Sequence, residues 1–134
     1  MVAEVYGMNL QELEDYINTN YLRLFEECRG FCREGEVRGT LRFEELRLYE
    51  GCEFCIIKTA IDHLNMPTLV IPLKDGRVME LIKLGDYIIE LSEESVQVFS
   101  VEDFLEELTD YLEFGLLADD EISLISKWLG EGRA

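Results

Sequence analysis

Residues 68–99 read TLVIPLKDGRVMELIKLGDYIIELSEESVQVF, a run of short apolar segments separated by turn residues. Thr68 to Ile71 has strand composition, and Pro72 near its end marks an edge position or a bulge, because proline cannot donate to a ladder. Lys74-Asp75-Gly76-Arg77 is a hairpin turn, since Asp-Gly tolerates the positive φ that tight turns require. Val78 to Leu84 returns, Gly85-Asp86 turns into Tyr87 to Leu91, and Ser92 to Ser95 turns into Val96 to Phe99. Connections this short join antiparallel neighbours, so the stretch is expected to form a four-stranded meander.

Helical patterns flank the meander on both sides. Asn9 and Glu12 form a capping-box pair, and Leu10, Leu13, Ile17, Tyr21 and Leu24 recur at helical spacing, predicting one helix from Asn9 to Glu27 or beyond. A second helix is expected from Cys52 to about Leu64. The segment Thr40 to Tyr49 fits either a strand or a short helix, with helix favoured. After the meander, Ser100 with Asp103 three residues on caps a helix whose buried stripe is expected to be Val101, Phe104, Leu105, Leu108 and Leu112. Gly115 ends it, and Asp119 or Asp120 opens a last helix with Ile122, Ile125, Trp128 and Leu129 inward. The expected architecture is α+β: N-terminal helices, a central four-stranded antiparallel meander and two C-terminal helices, in a single domain spanning residues 1–134.

The composition is globular, with 48% hydrophobic and 31% charged residues over 134 positions. No apolar run approaches the roughly 20 residues needed to cross a bilayer. Met1 to Gly7 lacks the basic start and apolar stretch of a signal peptide, so a cytoplasmic location is expected. The formal net charge of −17 disfavours nucleic acid and anionic membranes as partners and favours a basic protein surface. Only 2 Gln and 4 Asn, beside 21 Glu, lean towards a heat-adapted source.

The cysteines carry the strongest chemical signal. Cys28 and Cys32 form a Cys-x3-Cys pair, Cys52 and Cys55 a Cys-x2-Cys pair, and 19 residues separate the pairs. Two local pairs joined by one longer loop is the arrangement of a structural zinc site, with four thiolates in a tetrahedron, and zinc is the leading expectation for these residues. Disulfides within or across the pairs, buried free thiols, and a redox dithiol or iron–sulfur cluster are the competing readings.

Cys52-Glu53-Phe54-Cys55 at a helix start, together with Met66-Pro67-Thr68, resembles the active-site helix and proline segment of the thioredoxin and glutaredoxin family. In that family the proline packs against the cysteine pair. Here only 11 residues lie between Cys55 and Pro67. The intervening helix carries the chain about 18 Å away, and Asn65 and Met66 are too few to bring it back. Gly85 to Ile89, the following strand and Ser100 to Leu105 are similar to the end of SUKH-superfamily immunity proteins, over about a fifth of the chain; the cysteines lie outside that pattern.

Other catalytic signatures are absent from the sequence. His63 is the only histidine and lies about 12 Å along its helix from Cys55, so a structural or surface role is expected. No phosphate-binding glycine loop, nucleophile elbow or HExxH is present. Charge is distributed unevenly, since Leu84 to Ser126 holds 13 acids and no Lys or Arg. A solvated helix surface is the plain reading; the functional one is a docking surface, with Glu102, Glu106, Asp110 and Glu113 as partner-binding residues. Together these features predict a non-enzymatic acidic interaction or regulatory protein with a four-cysteine zinc site. The alternatives are a thiol–disulfide redox protein using Cys52 and Cys55, or a disulfide-stabilised structural or assembly subunit.

Overall fold

A computed structural model describes residues 8–33 and 39–131. Among the described residues, five helices, α1 (Leu10–Thr19), α2 (Tyr21–Glu27), α3 (Cys52–His63), α4 (Val101–Glu113) and α5 (Asp119–Glu131), surround five strands: β1 (Leu48–Glu50), β2 (Leu69–Pro72), β3 (Val78–Leu84), β4 (Tyr87–Ser92) and β5 (Ser95–Ser100). The strands form one antiparallel sheet in the order β1-β5-β4-β3-β2. The α+β class and the meander therefore stand as expected, while the sheet has five strands rather than four.

Successive side chains on a strand point to opposite faces, and here both faces are covered. Ile82, Leu84, Ile89, Leu91, Val96 and Val98 pack against α1, α2 and α3. Met79, Leu81, Ile88 and Phe99 pack against Phe104 and Leu108 of α4 and Ile125 and Leu129 of α5. The result is three layers with a core on each side of the sheet, which is why the strands read as nearly continuous apolar runs.

Local chemistry accounts for the elements. The Asn9 side chain accepts from Glu12 N–H at 2.9 Å, and the Glu12 carboxylate accepts from Asn9 N–H at 3.2 Å, closing the capping box that starts α1. The expected long first helix breaks at Asn20. Its side-chain amide donates to the Tyr16 carbonyl at 2.9 Å, competing with the helical ladder, and its backbone turns to φ −111°, ψ 19°. The β2–β3 hairpin closes with Leu73 N–H donating to the Arg77 carbonyl at 2.8 Å, and Gly76 supplies the positive φ of 95°.

The segment between residues 39 and 47 is neither helix nor strand; it leads into the short edge strand β1. Side chains of α1 satisfy its backbone instead. Asn18 accepts from Leu41 N–H at 2.6 Å and donates to the Leu41 carbonyl at 3.1 Å, and Glu14 accepts from Phe43 N–H at 2.8 Å. Tyr49, fully buried, accepts from Glu44 N–H at 2.7 Å and donates to the Arg42 carbonyl at 2.9 Å. Tyr49→Phe strands both of those backbone groups and is expected to cost about 1–3 kcal/mol in a denaturant melt. A midpoint equal to wild type would show that the hydroxyl does not pin this loop.

Candidate functional site

Two regions concentrate the chemistry: the junction of α2 with α3, and the outer surface of α4 with the polar contact beneath it.

At the junction, α2 ends at Cys28, and the chain makes one further turn in which Cys32 N–H donates to the Cys28 carbonyl at 2.8 Å. Cys32 therefore lies one turn beyond Cys28 although the helix has stopped. Gly51, with φ 59°, starts α3, placing Cys52 and Cys55 on its first turn. The four sulfurs pair crosswise, Cys28 with Cys55 and Cys32 with Cys52. Two bonds tie the end of α2 to the start of α3. Thr59, one turn further along α3, places its hydroxyl 3.5 Å from the Cys28 sulfur and 3.8 Å from that of Cys55.

This pairing corrects the zinc expectation. A zinc site needs thiolates, and each of Cys28, Cys32, Cys52 and Cys55 has given its sulfur to a disulfide. Among the described residues no group of three or more His, Cys, Asp or Glu is arranged to hold a metal ion. Cys52 and Cys55 are not bonded to one another in this arrangement: each bonds to a cysteine at or beyond the end of α2. Cys28, Cys32 and Cys52 are at most 7% exposed, which shields three of the four sulfurs from an attacking thiolate. α3 runs its full length to His63, so Pro67 stays distant from the cysteines, as the chain-length argument requires. His63 joins helices rather than a metal: one ring nitrogen lies 3.0 Å from Glu27 and the other 3.1 Å from Arg23.

On α4, Phe104 and Leu108 are buried against the sheet. Leu105 and Leu112, expected in the buried stripe, are 44% and 42% exposed, and Phe114 just beyond the helix is 77% exposed. Leu105 and Leu112 are two turns apart and form one outer stripe. Glu102, Glu106 and Glu113 run beside it and Asp110 lies further round, all exposed. No Lys or Arg among the described residues forms an ion pair with any of the four. The pairs Glu102–Glu106 and Glu106–Asp110 sit at helical i, i+4 spacing, where like charges repel.

Beneath α4, Glu90 of β4 is only 4% exposed. Tyr111 of α4 donates its hydroxyl to the Glu90 carboxyl at 2.7 Å. Burial pushes Glu90 up to about 7; the Tyr111 hydrogen bond and Arg77 pull it down, and the Glu107 carboxylate pushes it up. Glu107 is itself raised by burial and by the neighbouring Asp110 carboxylate. Burial and the two carboxyls hold the Tyr111 phenol far above its ordinary range. Sequence reading missed Glu90. The available signal was a lone acid in the otherwise apolar run Tyr87-Ile88-Ile89-Glu90-Leu91.

A hollow of about 410 Å³ opens beside α3, lined by Lys58, Asp62, Asn65, Thr68 and Glu80 among others. The Lys58 ammonium on its wall is engaged by Asp62 at 3.1 Å and Glu80 at 3.6 Å. Among the described residues no helix is long and apolar enough to cross a membrane. Comparison with protein-family models, with curated proteins and with solved structures finds no match.

Proposed function

We propose that this chain is a disulfide-stabilised structural or assembly subunit that docks a basic protein partner through the outer face of α4. The observation that carries this reading is the combination on that face: an exposed Leu105–Leu112 stripe, continued by Phe114, beside four carboxylates that form no ion pair among the described residues. An apolar stripe flanked by unneutralised acids fits an amphipathic segment whose polar side is Lys- or Arg-rich. Repulsion between like charges on one helix is a standing cost that a cationic partner removes. The cross-paired disulfides support the same reading, because a staple between two helices serves a fixed scaffold better than a catalytic thiol. A cytoplasmic home fits two disulfides in cells that retain them, as those of hyperthermophiles do, and the scarcity of Asn and Gln points the same way.

Titration with a panel of Lys- and Arg-rich amphipathic peptides tests the proposal. Reversing Glu102→Lys, Glu106→Lys and Glu113→Lys together is expected to weaken binding at least tenfold, and added salt is expected to weaken binding to the wild type. Affinity indifferent to both the reversals and salt would overturn the docking role of α4. Insulin reduction by a dithiol, unaccelerated by the protein, is expected in parallel; acceleration lost on Cys52→Ser would instead establish the redox alternative.

A further inference from the structure

We infer that the two disulfides open in a fixed order, Cys28–Cys55 acting as a reversible redox switch and Cys32–Cys52 as a retained tether. Thiol–disulfide exchange needs a thiolate to reach one sulfur of the bond, so access decides which bond reacts. Cys32 and Cys52 are 7% and 5% exposed, which closes their bond from both ends. The other bond has one buried end, Cys28 at 1%, and one half-buried end, Cys55. Cys55 is therefore the point of entry. Stability does not set the order, because chain entropy assigns nearly the same cost to losing either bond first.

The reductant is a dithiol. One of its thiolates attacks the Cys55 sulfur, the Cys28–Cys55 bond breaks, and the electron pair leaves on the Cys28 sulfur. The second thiolate then attacks the dithiol's own sulfur in the mixed disulfide, closing the dithiol's disulfide and releasing Cys55. Two electrons pass to the chain, and each released thiolate takes a proton. Thr59 stands beside the leaving group. Its hydroxyl is 3.5 Å from the Cys28 sulfur and 3.8 Å from that of Cys55, one turn further along α3. A disulfide sulfur carries no hydrogen, so the hydroxyl is the donor, and it is in place to donate to the Cys28 thiolate as the bond breaks. Cys28 is too buried for water to stabilise that thiolate, which makes Thr59 a positioning residue for the exchange.

With Cys28–Cys55 open, Cys32–Cys52 still joins the turn after α2 to the first residue of α3. The Cys28 and Cys55 thiols stay near one another, so an oxidised dithiol recloses the bond by the reverse steps. The end of α2 meanwhile has lost one of its two ties to α3. The switch rests on the cross-pairing of the cysteines and is independent of the docking role of α4.

Native wild-type protein is treated with reduced dithiothreitol, acid-quenched at intervals and alkylated in denaturant with N-ethylmaleimide. Intact mass and digestion then report the order. A species alkylated on Cys28 and Cys55 alone is expected to accumulate, with Cys32–Cys52 opening at least about tenfold more slowly. The same bond is expected to reform once the reductant is replaced by oxidised dithiothreitol. Thr59→Val is expected to slow the opening of Cys28–Cys55 about tenfold, through loss of one hydrogen bond to a charged group. Both bonds opening together, Cys32 and Cys52 alkylated first, or no opening without denaturant would overturn the switch and leave the pairing intact. A Thr59→Val rate equal to wild type would overturn the role of Thr59. Four alkylatable thiols before any reductant is added would overturn the pairing itself, and the switch with it.

Discussion

Replacing Cys28, Cys32, Cys52 and Cys55 together by serine is expected to lower folding stability by about 6 kcal/mol. The Cys28–Cys55 bond joins positions 27 residues apart, and Cys32–Cys52 joins positions 20 apart and lies inside it. In the chain-entropy account the outer loop alone contributes about 3.5 kcal/mol. Once one bond is closed, the other constrains only the short stretches between neighbouring cysteines, which contributes about 2.5 kcal/mol more. The two effects are thus coupled: removing either bond first costs about 2.5 kcal/mol, and removing the second costs about 3.5 kcal/mol. A domain with a total stability of about 5–15 kcal/mol then sits near its unfolding threshold. Urea melts of wild type and of the Cys28→Ser/Cys55→Ser, Cys32→Ser/Cys52→Ser and four-serine variants give these values directly. A wild-type midpoint unchanged by strong reductant would remove the staple from the account.

The second large effect concerns pH. Glu90 is raised from 4.5 to about 7 in the folded chain, so the native state holds a proton that the unfolded state has lost between those values. Stability from this group is complete below about pH 4.5 and is lost as the pH rises through 7, by about 3 kcal/mol in all. The other acids of this chain, with its net charge of −17, also lose stability with rising pH through mutual repulsion, so the wild-type curve alone does not isolate Glu90. The difference between wild type and Glu90→Gln does. Below about pH 4 the difference between the two is expected to be constant, and between there and pH 8 the wild type is expected to lose up to about 3 kcal/mol relative to the variant. Parallel curves would show that Glu90 titrates as an ordinary carboxylate.

The meander was legible because short apolar segments separated by Gly- or Ser-containing turns are local signals that need no tertiary information. The capping residues Asn9 and Ser100 were legible for the same reason, each side chain bonding to a backbone group three residues away. What escaped depends on contacts distant in sequence. The break at Asn20 hides inside a stripe that stays helical in spacing. The irregular path of residues 40–47 is dictated by Glu14 and Asn18, more than 20 positions earlier, and by Tyr49. The extra strand β1 exists because the loop returns to β5, where Leu46 N–H donates to the Val98 carbonyl at 2.8 Å.

The cysteines show a different limit. A tetrahedral metal site and two disulfides running between the pairs both need four sulfurs brought together from two helix ends, so Cys-x3-Cys and Cys-x2-Cys spacing identifies the cluster without distinguishing its chemistry. On α4 the acidic positions were readable from periodicity. The exposure of Leu105 and Leu112 was not, because how much of an apolar stripe is covered depends on how α5 packs beside it. Glu90 has the corresponding problem on a strand: its parity is readable, but only the helix layer over that face makes it buried.

Mass analysis without reductant reads the pairing of the four cysteines. Trypsin cleaves after Arg29 and Glu-C after Glu53, which separates all four cysteines into distinct fragments. The expected result is an intact mass short of the reduced chain by two hydrogens per disulfide, and linked fragments joining Cys28 to Cys55 and Cys32 to Cys52. Four free thiols with one zinc ion retained in the native spectrum, or a Cys52–Cys55 linkage, would contradict it.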